Sequence, residues 1–284
     1  MLGVLFDGIA YGSLLFLVSL GLSVTMGLMN FVNLAHGAFA MAGGFVCVAA
    51  MTRLGLPFLA ALPLAFAAGA LAGAALERTL YRRLYGASHL DQVLFSIGLT
   101  FAAVAAATWL FGAGQQPLRL PPWLRGQVAG AGVELGAYRI FLVAIVAALA
   151  ALLAWLVART RFGAQVRAAV DDADAARAMG IDVDRVFTAA FAMGSGLAAL
   201  GGALGIEVLG LAASFPLEFM VYFLLVVVAG GAGSILGPLA AALVLGVLDV
   251  AGKYYAPQAG AFIIYAAVLA LVVAFPRGIA GARR

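Results

Sequence analysis

Nine apolar runs, at about 5–28, 38–52, 57–76, 93–111, 138–158, 186–209, 219–230, 238–250 and 261–275, alternate with short polar or glycine-rich breaks along the chain. Most approach the roughly 17–25 residues that a bilayer-spanning helix needs. They are rich in Leu, Ala, Val and Gly and show no sustained alternation of apolar and polar positions. That favours helices over an outer-membrane barrel. The pattern predicts an all-α polytopic integral membrane protein with a single transmembrane domain, 1–284. The runs at 219–230 and 238–250 are short for a full crossing, so about eight or nine transmembrane or half-membrane helices are expected.

Composition strengthens this reading. Of 284 residues, 65% are hydrophobic and only 10% charged, whereas a soluble domain carries roughly a quarter of its residues as charge. The formal net charge of +4 could suggest nucleic acid, but the basic residues stand beside the ends of the apolar runs, as cytoplasmic retention charges do. Arg78, Arg82 and Arg83 form one group, Arg159, Arg161, Arg167, Arg177 and Arg185 a second, and Arg277, Arg283 and Arg284 a third. Together they hold 11 of the 16 Lys and Arg; Arg53, Arg119, Arg125, Arg139 and Lys253 fall in the alternate loops. The asymmetry places the first set in the cytoplasm, the N-terminus outside and the C-terminus inside. The first run, in "MLGVLFDGIAYGSLLFLVSL", has no preceding Lys or Arg, so it reads as a retained helix rather than a cleaved signal.

Several chemistries lack their residues. The only lysine, Lys253, follows Gly252 but precedes Tyr254, and Val247 stands where a phosphate-binding loop needs its first Gly. An ATPase site is therefore not expected, and no cofactor is implied. Ser195 in "AMGSG" has Met193 two positions before it rather than a glycine, and only His36 and His89 could serve as imidazole bases. Cys47 is the single cysteine, which precludes an intrachain disulfide or a multi-cysteine metal site. The chain is not expected to be an enzyme, and no metal site is expected.

Three stretches break the apolar pattern. In "LMNFVNLAHGAFAMAGG", from Leu28 to Gly44, Asn30, Asn33 and His36 would share one face if the segment were helical, within about 120° of one another. Polar groups so placed line a water-filled path, bond across helices, or cap a break near Gly27 and Gly37. In "VVVAGGAGSILGPLAAALVLG", residues Gly230, Gly231, Gly233, Ser234, Gly237 and Pro238 separate two half-length runs and predict a tight turn between helices. In "RTRFGAQVRAAVDDADAARAMGIDVDRV", Phe162, Val166, Ala169, Val170, Ala173 and Ala176 recur every three or four residues. That predicts one short amphipathic helix, ended near Gly180, suited to a groove on another protein. The spacing of Gly8 and Gly12, Gly69 and Gly73, and Gly233 and Gly237 suggests close helix packing.

In combination, "GLSVTMGLMNFVNLAHGAFAMAGGF", "TRFGAQVRAAVDDADAARAMGIDV" and "GGAGSILGPLAAALVLGVLD" resemble the membrane subunits of ATP-binding-cassette importers of the high-affinity branched-chain amino acid family. Asp174-Ala175-Ala176, followed after three residues by Gly180, resembles the Glu-Ala-Ala loop with which importer permeases dock on their ATPases. Asp stands in place of Glu, and the usual Ile-x-Leu-Pro ending is absent. The resemblance implies a multi-pass subunit of the bacterial cytoplasmic (inner) membrane. Its partners would be a second homologous permease subunit, two cytoplasmic ATP-binding subunits and an external solute-binding protein, with membrane lipid around it. It further implies ATPase coupling through a cytoplasmic loop at about 159–185, with Arg161, Phe162, Arg167, Asp174, Ala175, Ala176 and Gly180. Asn30, Asn33 and His36 would line the translocation path. Solutes of this class include aliphatic amino acids, amides, urea and aromatic acids. Two other readings stay open: a sugar-type permease, or a secondary transporter or channel using an intramembrane carboxylate such as Glu207 or Asp249.

Overall fold

A computed structural model describes the chain except residues 30, 32, 131, 132, 277 and 280–284, and the side chains of 28, 129, 130, 133 and 261. Asn30, Arg277, Arg283 and Arg284 therefore lie outside the described residues. The chain runs through α1 (Leu2–Met29), α2 (His36–Arg53), α3 (Phe58–Thr79), α4 (His89–Phe111), α5 (Ala137–Arg159), α6 (Arg161–Asp171), α7 (Ala173–Ala178), α8 (Val183–Leu209), α9 (Phe215–Gly230), α10 (Leu236–Tyr255) and α11 (Gly260–Ala274). Each of the nine apolar runs is one of these helices. Among the described residues, α1, α3, α4, α5, α8 and α10 are long and apolar enough to cross a membrane. Helices α9 and α11 have 16 and 15 residues, and α2 has 18 with His36 and Arg53 at its ends.

Burial separates the helices into a centre and a periphery. The apolar windows of α1 and α8 are each 83% buried, whereas those of α4 and α5 are 17% buried. Helix α8 packs against α3, α2 and α1, and α10 packs against α1, α11 and α9. Small residues permit this. A Cβ on Gly12 of α1 would lie 2.5 Å from the Ala242 carbonyl oxygen of α10, so backbone meets backbone there. Gly8 packs on Val247 of the same helix, and Gly69 and Gly73 of α3 pack on Ser195 and Ala199 of α8. The third spaced pair is different: Gly233 lies in a turn rather than on a helix face.

Two features depart from the sequence expectation. The stretch between α4 and α5 contains a short antiparallel hairpin, β1 (Gln127–Gly130) with β2 (Val133–Gly136), which satisfies backbone groups of an otherwise irregular connection. The connection from α5 to α8 holds two helices, not one. Asp172 has extended backbone (φ −157°, ψ 104°) and its Oδ1 accepts the amides of Asp174 and Ala175 at 3.0 and 2.9 Å. Its side chain caps α7, and its own amide closes the last turn of α6 on Ala168 O at 3.1 Å. An aspartate that bonds its following backbone favours a cap over a helix interior.

Candidate functional site

The polar stretch between α1 and α2 is a break, not a helical face. Asn33 Oδ1 accepts the amide of Ala35 at 3.0 Å, a local turn that competes with helix, and α2 begins at His36. The same oxygen accepts Tyr81 Oη–H at 2.9 Å. His36 Nε2–H donates to Val18 O of α1 at 3.0 Å. Of the readings the sequence left open, the break is the one found for Asn33 and His36: Asn33 sits in a local turn and His36 opens α2 while bonding across to α1. Asn33 and His36 are fully buried at 0% and 2% exposure. Their other polar atoms, Asn33 Nδ2 and His36 Nδ1, have no hydrogen-bond partner among the described residues. Since Nε2 carries the proton, Nδ1 is an acceptor, and the described residues of the break present Asn33 Nδ2 as an uncommitted donor and His36 Nδ1 as an uncommitted acceptor. Gly37, on the first turn of α2, lies against Pro216 on the first turn of α9, so two helix N-termini meet beside the break.

The turn between α9 and α10 docks on α1 one to two turns before that break. Gly231 and Gly233 have φ of +95° and +81°, which L side chains rarely adopt. The Gly233 amide donates to Ser23 O at 3.0 Å, and Ser23 Oγ–H donates to Ser234 O at 3.1 Å. Ser234 Oγ accepts the Gly237 amide at 3.2 Å, and Gly237 and Pro238 open α10 as buried residues. Gly230 ends α9 against the Pro238 backbone.

Helices α6 and α7 stand at the end of the bundle that also holds the C-terminal end of α3. Phe162 and Val166 line a small apolar cavity with Leu20 and Val24 of α1 and Ala190 and Met193 of α8. Arg161 is exposed, and Arg167 donates through Nη1 to Val157 O of α5. Ala176 is buried, whereas Asp174, Ala175, Met179 and Gly180 project outward. Gly180 has φ +84°, and Met179 leaves 84% of its surface open. The result is a helix pair in which α6 is seated on α5, α8 and α1 and α7 forms a largely exposed tip.

Sequence reasoning missed a polar cluster beneath that tip. Glu77, in the last turn of α3, is 0% exposed. Its Oε2 accepts Thr188 Oγ1–H of α8 at 2.6 Å, and its Oε1 accepts Tyr85 Oη–H at 2.8 Å. Arg82 reaches Glu77 Oε1 at 3.4 Å and Asp184 Oδ2 at 3.6 Å. Burial, and then the Glu77 carboxylate, push the Tyr85 phenol above its ordinary pKa, so it remains a donor. The available signal was a carboxylate one residue past an apolar run, five before an arginine.

At the opposite end, Arg139 pairs with Asp7, Arg53 stacks 5.6 Å over the Phe111 ring, and Arg119 and Arg125 line two separate surface cavities. Glu207 is exposed near the end of α8. Asp249 lies six residues inside α10, further in than the apolar run indicates. It is 1% exposed and paired with Lys253 Nζ at 2.6 Å. Among the described residues there is no group of three or more metal-ligating side chains.

A buried polar break between α1 and α2, two helix N-termini beside it and an exposed tip on α7 interrupt an otherwise apolar helical bundle. The family profile described as "Branched-chain amino acid transport system / permease component" matches residues 4–274. The chain is 27% identical over 295 residues to the high-affinity branched-chain amino acid transport system permease protein LivH of Salmonella typhimurium, covering 98% of this chain and 94% of that one. It is 27% identical to the corresponding BraD protein of Pseudomonas aeruginosa, over 98% of this chain and 94% of that one. It is 23% identical to a probable LivH of Methanocaldococcus jannaschii, over 95% and 87%. No solved structure matches the chain significantly. The protein belongs to the family of permease components of branched-chain amino acid transport systems.

Proposed function

We propose that this chain is the permease subunit of an ATP-driven importer in the bacterial inner membrane, moving branched-chain amino acids or related small polar solutes delivered by an external binding protein. A second homologous permease subunit and two cytoplasmic ATPases complete the assembly. The N-terminus lies outside, and the end bearing α6 and α7 faces the cytoplasm. The observation that carries this reading is the seated helix pair whose tip, Asp174 to Gly180, stays exposed except for the buried Ala176, beside the buried Glu77 and Thr188 of α3 and α8. A tip of mixed charge with an apolar Met179 suits a groove on another protein.

ATP binding draws the two ATPases together and displaces α6 and α7. These pack on α5, α8 and α1, so the displacement reaches the central helices. The permease pair then alternates which side its path faces, each state favoured by different bound partners. Asn33 and His36 offer a donor and an acceptor to a solute that carries both kinds of group. The competing secondary-transporter reading would need an intramembrane carboxylate: Asp249 is paired through Oδ2 with Lys253, and Glu207 is exposed near the end of α8 rather than buried among the helices.

Affinity purification of the tagged chain from its native cells tests the reading. It should bring ATPase subunits, and the reconstituted complex should accumulate radiolabelled leucine only with ATP inside. Leucine accumulation by the purified chain alone would overturn it.

A further inference from the structure

From the exposed tip to Glu77 the structure contains a series of ion pairs of alternating charge, and the uncharged contacts of Tyr85 and Tyr81, joined through the backbone of one turn, lead from there to the central break. Asp174 Oδ1 accepts Arg177 Nη1–H at 3.1 Å, and Arg177 Nη2 reaches Asp184 Oδ1 at 3.5 Å. Asp184 meets Arg82, and Arg82 meets the buried Glu77. Glu77 in turn holds Thr188 on α8 and Tyr85 on the connection from α3 to α4. That connection, a 3-10 turn at Tyr81–Leu84 followed by Tyr85, touches both sides of the break: Tyr85 Oη also lies 3.4 Å from Met29 Sδ, the last residue of α1, and Tyr81 Oη–H bonds Asn33. Tyr81 is wedged among Phe31, Phe95 and Phe191 with ring centroids 4.8–5.3 Å away.

We infer that Glu77 is a positioning residue, through which movement of α7 is passed by Arg177, Asp184 and Arg82 to the 81–85 turn and so to the α1–α2 break. The inference rests on the importer reading for its purpose but not for its geometry. Glu77 touches no solute; it fixes where Tyr81 and Tyr85 stand. A buried carboxylate shared by three elements is a suitable node because each partner answers the same charge: a shift of Arg82 alters what Thr188 and Tyr85 must satisfy. Coupling of this kind needs an element whose position both ends bias, and the 81–85 turn is bonded to both.

Two surface arginines in the same loop provide the control. Arg177 belongs to the series, whereas among the described residues Arg185 pairs with Asp182 alone, at 2.9 Å. In the full-length chain in lipid nanodiscs, hydrogen–deuterium exchange is measured over peptides covering 31–39 and 80–87 for Arg177→Gln, Arg185→Gln and Glu77→Gln. Arg177→Gln and Glu77→Gln should speed exchange in both peptides by about threefold or more, and Arg185→Gln should leave them unchanged. No change with Arg177→Gln, or equal change with Arg185→Gln, overturns the relay whether or not the chain imports anything. In the assembled importer, Glu77→Gln should retain its ATPase subunits and ATP hydrolysis while leucine uptake falls about tenfold. Loss of uptake in parallel with loss of assembled complex would show Glu77 to be a fold staple only and would overturn its role in coupling.

Discussion

One oxygen, Asn33 Oδ1, accepts both the amide of Ala35 at 3.0 Å and the hydroxyl of Tyr81 at 2.9 Å, joining the α1–α2 break to the turn after α3. The two bonds are unequal in what their loss leaves behind. Tyr81→Phe removes a donor and leaves Asn33 Oδ1 still bonded to Ala35, so it should cost about 1 kcal/mol. Asn33→Leu orphans the Ala35 amide and the Tyr81 hydroxyl in a buried site, at about 1–3 kcal/mol each. Thermal unfolding in one detergent should rank the variants wild type, Tyr81→Phe, Asn33→Leu. Equal melting of the last two would mean that the oxygen does not anchor the break.

His36 supplies the test of the path itself. Gln can replace its N–H bond to Val18 O while presenting a different group where Nδ1 stands. His36→Gln should therefore leave folding close to wild type and lower leucine uptake about tenfold, or roughly 1.4 kcal/mol of transition-state stabilisation. Normal uptake with normal coupled ATP hydrolysis would reduce His36 to a packing role.

The tip of α7 depends on Gly180, whose φ of +84° suits glycine and, among other residues, asparagine best. Gly180→Asn should keep the backbone and most ATPase co-purification. Gly180→Trp adds strain and bulk at the exposed tip and should uncouple or dissociate the ATPase subunits. Wild-type ATP-driven uptake by the Trp variant would refute the docking assignment.

Close packing makes a sharper comparison. Gly12→Leu must push α1 off α10, because even a Cβ there would lie 2.5 Å from Ala242 O; a loss of about 2–3 kcal/mol is expected. Gly98, in α4, has nothing within 4 Å of an added Cβ, and Gly98→Ala should stabilise the helix by up to about 1 kcal/mol. Melting temperatures moving in opposite directions would confirm the contrast, whereas a neutral Gly12→Leu would argue against backbone contact between α1 and α10.

The helices were legible because lipid leaves few alternatives to an intrahelical backbone, so each apolar run announces its own helix. The breaks were harder to read. Wheel geometry grouped Asn33 with His36, but α1 ends at Met29, and in the link that follows the short Asn side chain bonds its own downstream amide. Asp172 divided α6 from α7 for the same reason, although the apolar spacing runs through it without interruption. The turn at Gly230 to Pro238 was visible because glycine and proline state backbone geometry directly. Glu77 was only half visible: Arg82 and Tyr85 stand five and eight positions on, a local hint, but Thr188 is 111 positions away, and nothing in the local pattern tells that all three share one carboxylate. The hairpin after α4 likewise has only four-residue strands, too short for alternation to register.

The uneven enclosure of the helices sets different tolerances along one polypeptide. On α4 the outward residues, Leu94, Phe101, Trp109 and Leu110 among them, have little of this chain to fit, and within it their shapes are loosely constrained. On α1 nearly every side chain has a neighbour to fit, and size becomes the selected property. Drift should therefore accumulate on the rim of the molecule, while its axis keeps a nearly frozen pattern of small and large.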